Sequence, residues 1–108
     1  MPRMPNLPEL EAIARLFEIA KSDTGQSRRV ANFLLAWNNA GANGGWDPAD
    51  LWNLDHEIAD DIVTVVRLIR ELPRGKYPND CGFAPEIARV WEFWRGKRKR
   101  SRTDAKNA

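Results

Sequence analysis

The densest set of chemically versatile side chains lies between residues 47 and 61, where six acids and the only histidine occur without a Lys or Arg. His56 and Asp60 are four residues apart, so on a helix they would share a face and could hold one metal ion, with Asp55 or Glu57 as a third ligand. No second histidine supports such a site, and the spacing matches no common zinc or calcium motif. Acids also stabilise the first turn of a helix, by about 0.3–1 kcal/mol each. We therefore predict no metal site, no cofactor and no catalytic residue here.

The single cysteine, Cys81, lies in the turn-forming stretch Asn79–Gly82. A nucleophilic cysteine needs a nearby base or a positive field, and nothing in the sequence places His56 beside it. No serine or threonine shows a nucleophile-elbow pattern, and Gly44-Gly45 lacks the preceding strand of a phosphate-binding loop. We expect a partly buried structural cysteine and a protein that is not an enzyme.

These residues are positioned by a chain whose apolar side chains recur at helical spacing. The pattern predicts an all-α fold, a compact bundle of about four principal helices plus one short helix. The helices are expected over about 7–21, 26–40, 48–53 (short), 55–72 and from about 84, with N-caps at Asn6, Thr24 and Asp47. The helix over 55–72 has the widest apolar stripe, so we expect it to be central.

Five tryptophans in 108 residues are many. Trp37 and Trp91 lie on apolar helix faces and are expected in the core. Trp46 and Trp52 bracket the Asp47-Pro48 turn, where they are expected to clamp the loop and the short helix onto the body. The alternative for this pair is a role in contacting a ligand or partner.

Length and composition indicate a single soluble domain: 108 residues, 43% hydrophobic and 30% charged. One cysteine excludes an internal disulfide framework. The longest apolar run, Phe33–Trp37, is far short of the ~18 residues of a membrane span, and the N-terminus lacks the apolar stretch of a signal peptide. A cytoplasmic location is expected.

The charge is uneven along the chain. Residues 95–108 hold seven of the 17 basic residues and one of the 15 acids, so we divide the chain into a helical domain over 1–94 and a basic tail over 95–108, disordered from about Ser101. Such a tail could bind nucleic acid through phosphates without reading bases, or could simply be a solubilising segment. The candidate contacts are Arg95, Lys97, Arg98, Lys99, Arg100 and Arg102.

Arg28 and Arg29 open the second helix, where basic residues oppose the helix dipole. We expect them to pair with acids of the helix over 55–72, or otherwise to contact an anion or a partner. Tryptophan and arginine are enriched in interface hot spots. The candidate partner surface therefore consists of Arg28, Arg29, Trp46, Asp47, Asp50 and Trp52.

Three stretches, Thr24–Trp37, Gly44–Trp52 and Asp55–Ile69, together resemble a family of small uncharacterised proteobacterial proteins, a domain of unknown function. The resemblance covers roughly residues 12–94. Members of that family are often carried on integrative conjugative elements and plasmids. The resemblance implies a mobile-element context and an accessory role, and it transfers no catalytic residue.

Taken together, the sequence favours a non-enzymatic protein-binding module of a bacterial mobile element, with a protein partner that includes a second copy of the chain as one option. The alternatives are a nucleic-acid-binding protein that uses the basic tail and a small inhibitor of a host defence complex.

Overall fold

The computed structural model describes residues 2–96, and this range contains no β-strand. Its α-helices are α1 (Leu7–Ala20), α2 (Gly25–Asn43), α3 (His56–Glu71) and α4 (Ala84–Trp91). Short 3₁₀ helices occupy Pro48–Asn53 and Pro78–Cys81, and a π-helix occupies Glu92–Gly96. The predicted all-α fold with four principal helices and a short one is confirmed. No helix in the described range is long and apolar enough to cross a membrane.

The predicted helix starts are confirmed by their hydrogen bonds. Asn6 Oδ1 accepts from the backbone N–H of Glu9 at 3.0 Å, and Glu9 Oε1 accepts from the backbone N–H of Asn6 at 2.9 Å, which completes a capping box. The Thr24 hydroxyl accepts from the N–H three residues on, and the Asp47 carboxylate from the N–H two residues on. These local contacts satisfy N–H groups that a helix start leaves unpaired.

The central helix is α1, which packs against α2, α3 and α4. The expectation that the helix over 55–72 would be central is wrong. Its buried side chains, Ile62, Val65 and Leu68, form a narrow stripe, whereas Val63 and Val66 are 37% and 40% exposed. Helix α3 packs chiefly on α1, and its opposite face is open to solvent.

A short N-terminal segment joins the start of α1 to the end of α3. The Arg3 guanidinium donates to both carboxylate oxygens of Glu9 at 2.7 Å and to the Glu71 carboxylate at 2.9 Å. The backbone N–H of Arg3 also donates to the Glu71 carbonyl at 3.0 Å. The Arg3 guanidinium holds the pKa of Glu9 at about 2, well below its usual value.

Helix α2 runs three residues beyond its predicted end at Ala40, through a kink. Asn39 has extended backbone angles (φ −169°, ψ 88°), and its side-chain oxygen accepts from the backbone N–H of Ala42 at 3.1 Å. Asn39 thus acts as an internal cap for one further turn. That turn ends at the buried Asn43, whose side-chain amide donates to the Leu35 carbonyl at 3.0 Å.

The end of the described chain packs through Trp94 rather than Trp91. Trp94 is 3% exposed, and its indole N–H donates to the Ala20 carbonyl at 2.8 Å. Trp91 is 42% exposed, so its predicted core position is wrong. It lies at the edge of the stripe formed by Ile87 and Val90, and its indole N–H donates to Asn43 Oδ1 at 3.1 Å. Trp37 is half-buried against the core, and its indole donates to the Lys76 carbonyl.

Candidate protein-interaction surface

The segment between α2 and α3 is tied to the first turns of α2. Arg29 Nε lies 3.8 Å from Asp50 Oδ1. The side-chain oxygen of Gln26 accepts from the backbone N–H of Asp55 at 2.7 Å, and its amide nitrogen donates to the Asp55 carboxylate at 3.3 Å. Gln26 and Arg29 are three residues apart on one helix and share a face. Together they link the 3₁₀ helix Pro48–Asn53 and the start of α3 to α2.

The two arginines at the start of α2 have different roles. Arg29 pairs with the acidic cluster, but through Asp50 in the 3₁₀ helix and not through an acid of α3. Arg28 is exposed and forms no ion pair with another of residues 2–96. Neighbouring positions on a helix point about 100° apart, so only one of the two can face the 3₁₀ helix. Of the two candidates, Arg28 is the one left at the surface.

Trp46 is half-buried and packs edge-on against Phe33, with ring centroids 5.1 Å apart and ring planes at 70°. Such a geometry is favourable for aromatic pairs. The indole N–H of Trp46 is itself buried and meets no acceptor within the described part of the chain. The structure therefore confirms the expectation that Trp46 clamps the loop onto the body.

Trp52 does not clamp anything: 87% of it is exposed. The reason is that successive residues of a 3₁₀ helix point about 120° apart; Leu51 lies in this helix, and Leu54 is the residue that ends it. Both leucines pack against the core, so Trp52, one position on from Leu51, points away from it. A large apolar side chain is thus presented to solvent by a segment held at both ends.

The acids around His56 form no group with metal-ligand character within residues 2–96. His56 and Asp60 are both exposed. Asp61 accepts from the Arg15 guanidinium through both oxygens, at 2.9 and 3.0 Å. This ion pair joins α3 to α1 and raises the pKa of Arg15.

Cys81 is half-buried, as expected, at the end of the second 3₁₀ helix. Burial raises the pKa of its thiol, and the negative charge of Asp80 adds to that rise. A raised pKa reduces the fraction of nucleophilic thiolate at neutral pH.

Of the predicted nucleic-acid contacts, Arg95 falls within the described range and packs on the body. Its Nε donates to the Asn43 carbonyl and its guanidinium donates to Asn32 Oδ1, both at 3.0 Å. The folded body therefore includes Arg95 and the buried Gly96, two residues beyond the predicted boundary. The remaining candidates and the expected disorder after Ser101 lie outside the described residues.

The apolar spacing of α3 does not predict that Val63 and Val66 are exposed. Val66 belongs to the apolar stripe indicated by the spacing, yet it is 40% exposed. It lies about 100° from the buried Val65, on the side of α3 turned away from α1. Residues 62–66 are consecutive and mostly β-branched, and consecutive residues of a helix cannot all face its buried side. The sequence therefore indicated that some of them would be exposed.

Comparison with known proteins places the chain in a family without assigning it an activity. No curated protein and no solved structure matches it significantly. One family model, described as a family of unknown function (DUF7673), matches residues 10–95 of the 108. This match begins within the first turn of α1 and covers α2, α3 and α4, together with Trp46, Trp52 and Trp94. The chain therefore belongs to the DUF7673 family of unknown function.

Proposed function

We propose that this protein is a non-enzymatic protein-binding module that contacts its partner through Trp52. The observation that carries the proposal is the 87% exposure of this side chain. We further propose that it is an accessory protein of a bacterial mobile element, a context that rests on the sequence resemblance described above.

The position of Trp52 favours binding because the segment that carries it is already ordered. Asp47 caps the 3₁₀ helix, Arg29 holds Asp50, and Gln26 holds Asp55. A preformed contact loses less conformational entropy on association than a mobile one. Covering an exposed indole removes about 150–250 Å² from water, which at ~25 cal/mol/Å² is about 4–6 kcal/mol before the costs of association.

The other candidate residues differ in their relation to Trp52. Trp46, Arg29 and Asp50 support the surface, because they hold the segment on α2. Asp47 is exposed at the start of the same segment and forms its polar rim, whereas Arg28 is exposed about 100° around α2 from Arg29. An anchor of tryptophan with a charged rim is typical of interface hot spots.

Quantitative affinity capture from the native host tests the proposal. The full chain and its Trp52→Ala and Tyr77→Ala variants serve as baits; Tyr77 is a second exposed aromatic residue, 45% exposed, outside this segment. We expect a host protein that is captured by the wild type and by Tyr77→Ala but is depleted at least tenfold with Trp52→Ala. Equal recovery with all three baits would overturn the proposal.

A second candidate is nucleic-acid binding by the basic segment after Gly96, favoured by its charge. Residues 97–102 contain five Lys or Arg and no acid. Such binding would weaken with salt, because each bound phosphate releases counterions. Replacing Lys97, Arg98, Lys99 and Arg100 by Gln should then reduce the slope of log K against log salt by up to about 0.9 for each phosphate that the variant no longer neutralises. An unchanged slope would rule it out.

A further inference from the structure

A groove with an apolar floor runs between α1 and α3. Ile19 of α1 and Ile58 of α3 line it, and both are half-buried against the core. The rim on the α3 side carries Glu57 and Asp60, which are exposed. The groove therefore offers both apolar area and negative charge, and no other element of residues 2–96 is among its lining.

The negative charge of the groove is only partly neutralised. The Asp61 carboxylate is paired with Arg15 through two hydrogen bonds. Glu57 and Asp60 form no ion pair with another of residues 2–96. Two carboxylates thus face solvent beside an apolar floor, an arrangement complementary to side chains that combine an aliphatic stem with a cationic end.

Near its described end, the chain is tied to the end of α1 that carries the groove residue Ile19. Trp94 is fixed to the carbonyl of Ala20, the last residue of α1, and Ala20 directly follows the groove residue Ile19. Gly96 is two residues beyond Trp94. An extended chain covers about 3.3 Å per residue, so six further residues span about 20 Å, close to the length of a 14-residue helix. An extended segment of residues 97–102 therefore matches α1, one wall of the groove, in length.

That segment has the matching chemistry. Residues 97–102 carry Lys97, Arg98, Lys99, Arg100 and Arg102. We propose that residues 97–102 dock in the α1–α3 groove of the same molecule. Their cationic ends pair with Glu57 and Asp60, and their aliphatic stems cover Ile19 and Ile58. Docking in the groove and phosphate binding would use the same cations, so each would exclude the other. This competition would regulate nucleic-acid binding, and it is not part of either function proposed above.

Zero-length cross-linking of the full chain with a carbodiimide tests the docking, because it joins a lysine only to a carboxylate in direct contact. We expect amide links from Lys97 or Lys99 to Glu57 or Asp60 within the monomer, and their loss in high salt. Glu11 and Asp23, exposed acids outside the groove, are the internal controls. Links found only between molecules, links to the controls as often as to the groove, or no links to the groove would each overturn the proposal.

Methyl NMR of the full chain gives an independent readout. In a variant with Lys97, Arg98, Lys99 and Arg100 replaced by Gln, the Ile19 and Ile58 methyl signals should shift. Ile13, fully buried in the core, should not shift. Unchanged Ile19 and Ile58 signals, or shifts that depend on protein concentration, would contradict docking within one molecule.

Discussion

The indole N–H of Trp94 donates to the carbonyl oxygen of Ala20 at 2.8 Å, so a tryptophan near the end of the described chain caps the C-terminal end of the first helix. The contact spans 74 residues of sequence and is buried. The carbonyls of the last turn of a helix have no partner within the helix. Trp94 therefore satisfies a polar group that would otherwise be buried unpaired, and it closes the bundle around α1.

Trp94→Phe should destabilise the fold by about 1–3 kcal/mol, because it keeps most of the ring but leaves the Ala20 carbonyl without its donor. Trp94→Ala should cost about 3–5 kcal/mol, since it also opens a cavity. Urea unfolding measures both. Trp91→Phe is the matched control: its indole also donates a hydrogen bond, but the residue is 42% exposed, so a smaller loss is expected. Equal losses for the two Phe variants would contradict the role given to Trp94.

Asn43 should be the polar residue whose removal most weakens the packing between α2 and α4. Its side chain donates to the Leu35 carbonyl and accepts from the Trp91 indole. Asn43→Ala leaves both groups without this partner, so we expect a decrease of about 1–3 kcal/mol in the free energy of unfolding. Asn53→Ala, at an exposed position, should change it by less than about 0.5 kcal/mol. Similar changes in the free energy of unfolding for both variants would show that Asn43 does not join α2 to α4.

The contact between Arg3 and Glu9 predicts a stability that depends on acid pH. The folded-state pKa of Glu9 is about 2 and its ordinary value is 4.5. A carboxyl with a lowered folded-state pKa stabilises the fold above its unfolded pKa, and this stabilisation is lost as the pH falls from about 4.5 to about 2. Arg3→Ala should therefore melt at a lower temperature than wild type at pH 7.

The difference in melting temperature between wild type and Arg3→Ala should narrow below pH 4.5 and close near pH 2. Arg74→Ala removes the same charge at an exposed position and should match wild type throughout. A constant gap for Arg3→Ala across this range would mean that Arg3 acts through packing and not through Glu9.

Cys81 should react slowly with a disulfide reagent near neutral pH, because burial and Asp80 raise the pKa of its thiol. The comparison is with the same chain unfolded in urea, in which both effects are removed. We expect the rate to rise on unfolding. A folded-state rate equal to or above the unfolded one would identify an activated cysteine and would favour an enzyme over a binding module.

The sequence was sufficient to predict the features that depend on neighbouring residues alone. Asn6, Thr24 and Asp47 cap the helices they were expected to cap, because a cap depends on residues within one turn. Periodicity placed the starts of all four α-helices within one residue, and the ends of α1, α2 and α3 within three. The kink of α2 was missed because the spacing of apolar residues does not report the extended backbone of Asn39.

The predictions that were wrong at the site depend on how the helices pack against each other. The partner of Arg29 depends on which face of α2 meets the 3₁₀ helix, and one sequence does not specify this. Trp91 and Trp94 both suit the apolar face of α4, and only packing against Ala20 and Asn43 decides between them. Trp52 was predicted to clamp because its partner-facing alternative has the same sequence signal, a large apolar residue next to a turn.

Trp46→Ala and Trp52→Ala should separate the two roles by stability. Trp46 packs on Phe33, so its removal should lower the free energy of unfolding by about 2–3 kcal/mol, somewhat less than for a fully buried tryptophan. Trp52 is 87% exposed, and its removal should change that free energy by less than about 0.5 kcal/mol. A large destabilisation by Trp52→Ala would indicate that this residue has a structural role.

The most direct test of the proposed function is the Kd of the captured partner for wild type and for Trp52→Ala, measured on proteins with equal melting temperatures. Truncating a central tryptophan of an interface costs about 2–4 kcal/mol. We therefore predict that Trp52→Ala weakens binding by about 30-fold or more. A Kd within about twofold of wild type would contradict the proposal that this exposed tryptophan is the site of partner binding.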